Sequence, residues 1–339
     1  VDKPGGRTRG ILSGTIVLKG GEQMARKKKT NAYFVDYYDD WIETYKVGAI
    51  REVTLNKYYM TAKMLRRIVP DLKIAELDRP AYQNILNEYA KTHEKQTTMD
   101  FHHQVKACIS DLFHDGLIDR DPTYRAIIKG KPAKIKKMKF LQADELKKLV
   151  RALDLGTEIN MDWFTMVVAK TGLRFAEALA LTPNDFDFKN NTLSINKTWE
   201  YKLTSGEFTL TKNESSIRTI AIDWQLVGQF GPMLKDLPKD EPIFIQKDKN
   251  GHYKRVFNST YNNFLARKCK ESGVTEITFH GLRHTHASVL LSAGITIQSI
   301  SKRLGHSNVT TTQEVYTHII DELAQKDNQI MIGTLTSIA

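Results

Sequence analysis

Between residues 129 and 139 the chain reads KGKPAKIKKMK, six lysines and a proline in one short run. Such a run cannot enter a core, because ammonium groups are almost never buried unpaired and Pro132 has no backbone N–H to give a neighbouring strand or helix. It reads as an exposed linker over 129–139. The chain is thereby divided into two stretches that must each build a hydrophobic core, and 339 residues are enough for two.

The stretch before the linker is patterned as helix. Tyr58, Ala62, Leu65 and Val69 recur at three- and four-residue intervals, as do Phe101, Val105, Ile109, Leu112 and Phe113. Thr54, Asp78 and Thr97 stand where N-caps are expected. Four or five helices and no strand are expected over 31–128. Residues 1–30 are Gly-rich and basic without periodicity. They read as a tail, as appended sequence ahead of Met24, or as the remnant of another small domain.

The stretch after the linker is mixed. FLQADELKKLVRAL opens it as a capped amphipathic helix. MDWFTMVVAKTGLRFAEALAL follows as a second helix, broken at Gly172 and ended before Pro183. Over 192–222 the runs TLSINKTWEYK, GEFTLTK and SIRTIAI are short, β-branched and separated by turn residues, which predicts a three-stranded antiparallel sheet. Helices are expected to resume at 223. The fold class is therefore mainly α with a small antiparallel sheet. No internal repeat is present, which argues against solenoid folds.

Charge narrows the function. The formal net charge is +11, and it is gathered in the linker and in the run Arg26 to Lys29. A clustered basic surplus points to a polyanion such as nucleic acid. Neither run sits on an amphipathic apolar helix, so a membrane surface is disfavoured. No apolar run approaches the ~20 residues that cross a bilayer, and no signal-peptide pattern is present. Cys108 and Cys269 are far apart, in polar sequence surroundings, and have neither disulfide-framework nor metal-ligand spacing. They fit a reducing cytoplasm.

Several side chains are candidates for chemistry. In TGLRFAEALAL, Arg174 and Glu177 share a helix face in a segment apolar enough to bury the guanidinium. A buried guanidinium needs either that carboxylate or a bound anion. In TFHGLRHTHASVLLSAG, His280 and Arg283 are one turn apart at a helix start, where anions are favoured. His280, His284 and His286 could alternatively be metal ligands or capping and core histidines, but no Glu or Cys accompanies them. Lys212 lies at a turn between two predicted strands. ASVLLSAGITIQSISKRLGHSNVTTT has the outline of a helix-turn-helix, the alternative being an ordinary antiparallel helix pair. Tyr316 borders an apolar stripe of Val315, Ile319 and Leu323, and on that ground alone is a core tyrosine.

Taken in order, Arg174, Lys212, His280-x-x-Arg283, His306 and Tyr316 resemble the tyrosine recombinase (phage integrase) family. TGLRxxE, the turn lysine, HGLRHTHAS, LGHSNVTTT and the YTH tyrosine occur in the family's order. The interval of ten residues from His306 to Tyr316 is one longer than in many members and also occurs among integrase-like ones. The resemblance implies an all-α, SAM-like core-binding domain over 31–128 and an α+β catalytic domain over 140–323. It implies that Arg174 and Arg283 grip a phosphodiester, Tyr316 attacks it, and His280 acts as general base or phosphate ligand. Lys212 would be the acid, His306 a hydrogen-bonder to the phosphate, and Glu177 a support.

The implied activity is site-specific DNA integration and excision through a 3′-phosphotyrosine, without metal, ATP or other cofactor. Implied partners are double-stranded DNA core sites, a homotetramer, and an accessory excisionase or DNA-bending protein, in the bacterial cytoplasm. Phosphate contacts are expected from Arg26, Lys27, Lys28, Lys29, Lys129, Lys131, Lys134, Lys136, Lys137 and Lys139. The tail 324–339 carries Ile330, Met331 and Ile332, which would dock on a neighbouring protomer or pack on its own domain. A Xer-like dimer resolvase shares this chemistry, and a non-catalytic DNA-binding regulator using the 287–304 helix pair is the reading from another class.

Overall fold

The computed structural model describes residues 31–133, 139–202, 206–211 and 213–310, together with 312, 313, 316, 331, 332 and 335–337. The chain divides into two compact units, Val1–Lys136 and Lys137–Ala339.

The described part of the first unit is helical: α1 (Phe34–Tyr45), α2 (Glu52–Ile68), α3 (Arg79–Ala90) and α4 (Lys95–His114), with a 3₁₀ turn at Ile74–Glu76. Phe34, Tyr38, Trp41 and Ile42 form one buried stripe along α1, at the three- and four-residue steps of a helix face. They meet Leu65, Tyr82, Ile85, Phe101, Val105 and Ile109 in a single core. Trp41 reaches through it to donate its indole N–H to Asp111 at 2.7 Å. Asp78 caps α3 as expected, accepting from the Ala81 N–H at 2.8 Å. Thr54 and Thr97 do not cap. Each lies one turn inside its helix, behind the extended residues Arg51 and Glu94. Phe113 also departs from its predicted face and is 39% exposed. At the end of the unit, the Lys131 N–H donates to the His93 carbonyl at 2.8 Å, which ties the first part of the lysine-rich stretch to the start of α4.

The second unit opens with α5 (Ala143–Arg151), where the Gln142 N–H donates to Glu145 in a capping-box arrangement. The next helix, α6 (Met161–Thr171), is buried almost all round, as a helix apolar on every face must be. It stops at Gly172, whose φ of 68° is the left-handed C-cap glycine adopts without steric cost. A five-residue helix, α7 (Phe175–Leu179), follows.

The sheet differs from expectation. Strands β2 (Thr192–Ile195) and β3 (Lys197–Trp199) come from one β-branched run, but they separate at Asn196 and join different sheets. β2 is the centre of an antiparallel three-stranded sheet between β1 (Phe186–Asp187) and β5 (Arg218–Ala221), with Leu193 opposite both Phe186 and Ile220. β3 pairs only with β4 (Phe208–Leu210). Leu193 and Ile195 point into the core, whereas Thr192 and Ser194 on the opposite face are only partly buried.

After β5 come a π turn (Leu226–Phe230) and a 3₁₀ turn (Gly231–Leu234), so regular α-helix resumes only at α8 (Asn258–Glu271). α9 (Phe279–Ser292) packs on α6, and α10 (Ile297–Leu304) packs on α9 and β5. Cys108 and Cys269 are free thiols, each 0% exposed in the core of its own unit, so their polar sequence neighbours misrepresent their surroundings. Among the described residues, no helix is long and apolar enough to cross a membrane.

Candidate active site

The C-terminal ends of two helices form the floor of the site. α6 ends at Gly172 and α10 ends at Gly305, both with left-handed backbone. A helix C-terminus leaves carbonyls without intrahelical partners and carries partial negative charge. Here arginines take those carbonyls. Arg283, on the first turns of α9, donates to Gly172 O and to Leu304 O, each at 2.7 Å. Arg174 donates to Gly305 O at 3.0 Å. The Arg283 Nε–H and second Nη1–H have no partner among the described residues, which leaves donors for an anion.

Glu177 joins two arginines and lies in the field of a third. It caps α7 by accepting the Arg174 N–H at 3.0 Å, and it pairs with the Arg174 guanidinium at 2.8 Å. Arg218, from β5, meets the same carboxylate through two bonds, at 2.9 and 3.2 Å. Burial alone would raise the Glu177 pKa, but Arg218, Arg174 and Arg283 outweigh it and hold it below the carboxylate range. Arg174 is not buried, contrary to the sequence reading. Its side chain is 39% exposed, while the Glu177 and Arg218 side chains are 1% and 5% exposed. Arg283 is also buried, and burial and Arg174 pull its pKa down. A bound anion would reverse that penalty.

The histidines divide into two groups. Arg283 donates to His306 Nε2 at 3.0 Å, so the His306 proton sits on Nδ1, which faces Thr312 Oγ1 at 2.8 Å. His286 points the other way, with Nδ1 on Ala169 O at 2.9 Å and Nε2 accepting from Arg303 at 3.0 Å. That orientation separates it from His280 and His284 and removes the three-histidine set considered for a metal. Burial first, and neighbouring positive charge second, bring His306 down to about 4 and His286 to about 3. Both rings are neutral at pH 7.

Tyr316 combines a packed ring with a hydrogen-bonded hydroxyl. Its ring packs with Ala287, Leu291, Ile300 and Leu304 between α9 and α10 and is 2% exposed. Its hydroxyl lies 2.7 Å from His284 Nδ1, and His284 Nε2 lies 2.9 Å from His280 Nε2. Burial pushes the phenol pKa up, and Arg283 opposes the shift. The other members of the apolar stripe, Val315, Ile319 and Leu323, lie outside the described residues.

Arg174–Glu177 and Arg283–His306 are thus two hydrogen-bonded pairs that meet on the consecutive carbonyls Gly305 O and Leu304 O. His280 and Tyr316 are linked to each other through His284, on the same helix as Arg283. Lys212 lies outside the described residues, as do Arg26, Lys27, Lys28, Lys29, Lys134, Lys136, Lys137 and Ile330. Lys129, Lys131 and Lys139 are exposed, and so are Met331 and Ile332 of the tail. Sequence reasoning missed Arg218 and the bridging place of His284. Arg218 sits in a strand far along the chain from Glu177, with no local spacing to mark it. His284 was noticed only as a possible metal ligand.

The profile of the phage integrase family matches residues 139–322. The ICEBs1 integrase of Bacillus subtilis (strain 168) is 31% identical over 221 residues, covering 61% of this chain and 57% of the relative. The integrase of Staphylococcus phage L54a is 31% identical over 173 residues, covering 48% of this chain and 49% of its own. The chain therefore spans about half the length of these curated relatives. Among solved structures, the Tn1549 transposon integrase in complex with transposon right end DNA superposes with a TM-score of 0.68 at 17% identity, covering 89% of this chain and 100% of that one. A lambda integrase dimer bound to a COC′ core site gives 0.61 at 17% identity, over 89% and 83%. At these identities the likeness is one of fold: mainly helical, with small antiparallel sheets. With a family profile matching more than half of its length over the segment that carries the arginine, histidine and tyrosine cluster, the chain belongs to the phage integrase family.

Proposed function

We propose that this protein is a site-specific DNA recombinase of the mobile-element integrase kind, which cuts and rejoins duplex DNA through a 3′-phosphotyrosine. The observation that carries the reading is the meeting of two arginines, a neutral histidine and a hydrogen-bonded tyrosine hydroxyl around helices α9 and α10. A phosphodiester is a poor electrophile because its charge repels nucleophiles. Arg174 and Arg283 would neutralise the non-bridging oxygens as charge grows in the transition state. Tyr316 Oη would form the bond to phosphorus while the bond to the 5′-oxygen breaks, so the phosphotyrosine conserves a bond for rejoining.

The phenol must lose a proton and the 5′-alkoxide must gain one. His280 is assigned to the first task and Lys212 to the second, with His306 donating to the phosphate once Nε2 is released by Arg283 and takes the ring proton in place of Nδ1. Glu177 holds the arginines in place. This scheme requires neither metal nor ATP. Strand exchange would take place in a tetramer on two core sites, with an accessory protein directing excision. The first unit and the exposed Lys129, Lys131 and Lys139 would clamp the duplex.

The test is covalent trapping. The protein is incubated with nicked duplexes tiled across the DNA flanking its gene, in EDTA, and resolved on a denaturing gel. A protein–DNA adduct is expected in the native protein and none in Tyr316→Phe, with DNA binding retained. Specific binding without adduct at any nick would transfer the assignment to a regulator acting through the α9–α10 pair.

A further inference from the structure

We infer that His284 is the proton-transfer residue between Tyr316 and His280, carrying the phenolic proton from a buried hydroxyl to an exposed imidazole. The inference rests on the recombinase reading above and names the route by which its nucleophile is activated.

Tyr316 and His284 are 2% and 6% exposed, whereas His280 at the start of α9 is exposed. The contacts run in line: Tyr316 Oη to His284 Nδ1 at 2.7 Å, then His284 Nε2 to His280 Nε2 at 2.9 Å. Tyr316 thus contacts His280 only through His284 among the described hydrogen bonds, so a direct transfer to His280 has no bonded path. The groups facing His284 are His280 and Arg283 on its own helix, His306 from beyond α10, and Tyr316. Burial chiefly, then His280, Arg283 and His306, lower the His284 pKa to about 4, so the ring is neutral at working pH.

A neutral imidazole has one N–H and one acceptor nitrogen. In the resting arrangement the phenol donates to Nδ1, and the Nε2 proton of His284 is donated to His280 Nε2. As the Tyr316 Oη–P bond forms and the P–O5′ bond breaks, the phenolic proton moves to His284 Nδ1. The Nε2 proton of His284 moves at the same time to His280, which becomes an imidazolium at the surface. The 5′-oxygen takes its proton separately from the acid assigned to Lys212. Both hydrogen bonds survive with their direction reversed, and His284 begins and ends neutral. Rejoining runs the same path backwards.

The experiment uses the full chain, a nicked suicide duplex and the rate of adduct formation between pH 5.5 and 9. His284→Asn retains a polar group beside Tyr316 but cannot pass a proton on. DNA binding is expected to persist while cleavage falls by ~10²-fold, in the range of a lost general base. The pH profile should lose its acid limb and rise with hydroxide instead. Placing a fluorotyrosine at 316, with its more acidic phenol, should recover much of the loss in His284→Asn and change the native rate little. Native protein forming an adduct with an undiminished rate in His284→Asn overturns the relay alone. A reduced rate with an unchanged pH profile and no fluorotyrosine recovery also overturns it, leaving His284 a packing residue. No adduct in the native protein overturns the recombinase reading and the relay together. If the Asn variant does not fold, His284→Gln is read by the same criteria.

Discussion

Glu177 shows how a single carboxylate can be required for structure and site at once. Its two buried oxygens hold the partly exposed Arg174 guanidinium, the buried Arg218 and the N–H of Arg174 at the N-cap of α7. Glu177→Gln leaves the Arg218 charge buried without its counter-ion, and a loss of ~3–5 kcal/mol is expected in denaturant unfolding. The double change Glu177→Leu with Arg218→Met should recover most of that stability, because burying an ion pair costs about what its attraction returns. It should not recover cleavage, since Arg174 then loses the carboxylate that orients it. Recovery of both would reduce Glu177 to a packing role. The boxes TGLRFAE and HGLRH were legible in the sequence because their residues act at three- and four-residue spacings, although Arg174 proves to be the extended N-cap to which Glu177 reaches back rather than a partner on one helix face. Arg218, Arg303 and the contact of His284 with Tyr316 were not legible, because each depends on a pairing made across distant segments.

At the scale of elements, the site depends on where two helices stop. Gly172 and Gly305 supply left-handed C-caps and, through their own or the preceding carbonyl, acceptors for Arg283 and Arg174. A Cβ on Gly172 would lie 2.6 Å from the His286 ring, whereas one on Gly251, also at positive φ, meets nothing within 4 Å. Gly251→Ala should cost only the left-handed penalty, ~1 kcal/mol, and Gly172→Ala ~2–4 kcal/mol, since the ring is itself fixed by Ala169 and Arg303. Equal denaturation midpoints for the two variants would dismiss the steric account. Helix breaks at such glycines were readable, as was the amphipathic helix after the linker. The sheet was misread because period-two patterning reports which face is buried but not which strand is the neighbour. The unbroken run TLSINKTW therefore looked like one strand, although Asn196 sends its halves to separate sheets.

For the whole molecule, the surplus of positive charge should appear as salt dependence. DNA affinity is expected to fall linearly with the logarithm of salt concentration, and each lysine that touches a phosphate contributes about 0.9 to the slope. Replacing Lys129, Lys131 and Lys139 with Gln should flatten the slope by up to ~3 in a titration over 50–200 mM salt. An unchanged slope would remove these lysines from the duplex surface. The carbonyl of Gly305, held by an arginine 131 positions earlier, has a consequence for the cell that makes this protein. The proposed grip on phosphate would take shape only after the chain has been made past α10, and Tyr316 follows Gly305 by eleven residues. If the protein acts as proposed, a chain released before that point would keep its basic lysines but lack the means to break a strand. On that reading, cleavage would be withheld until folding is finished.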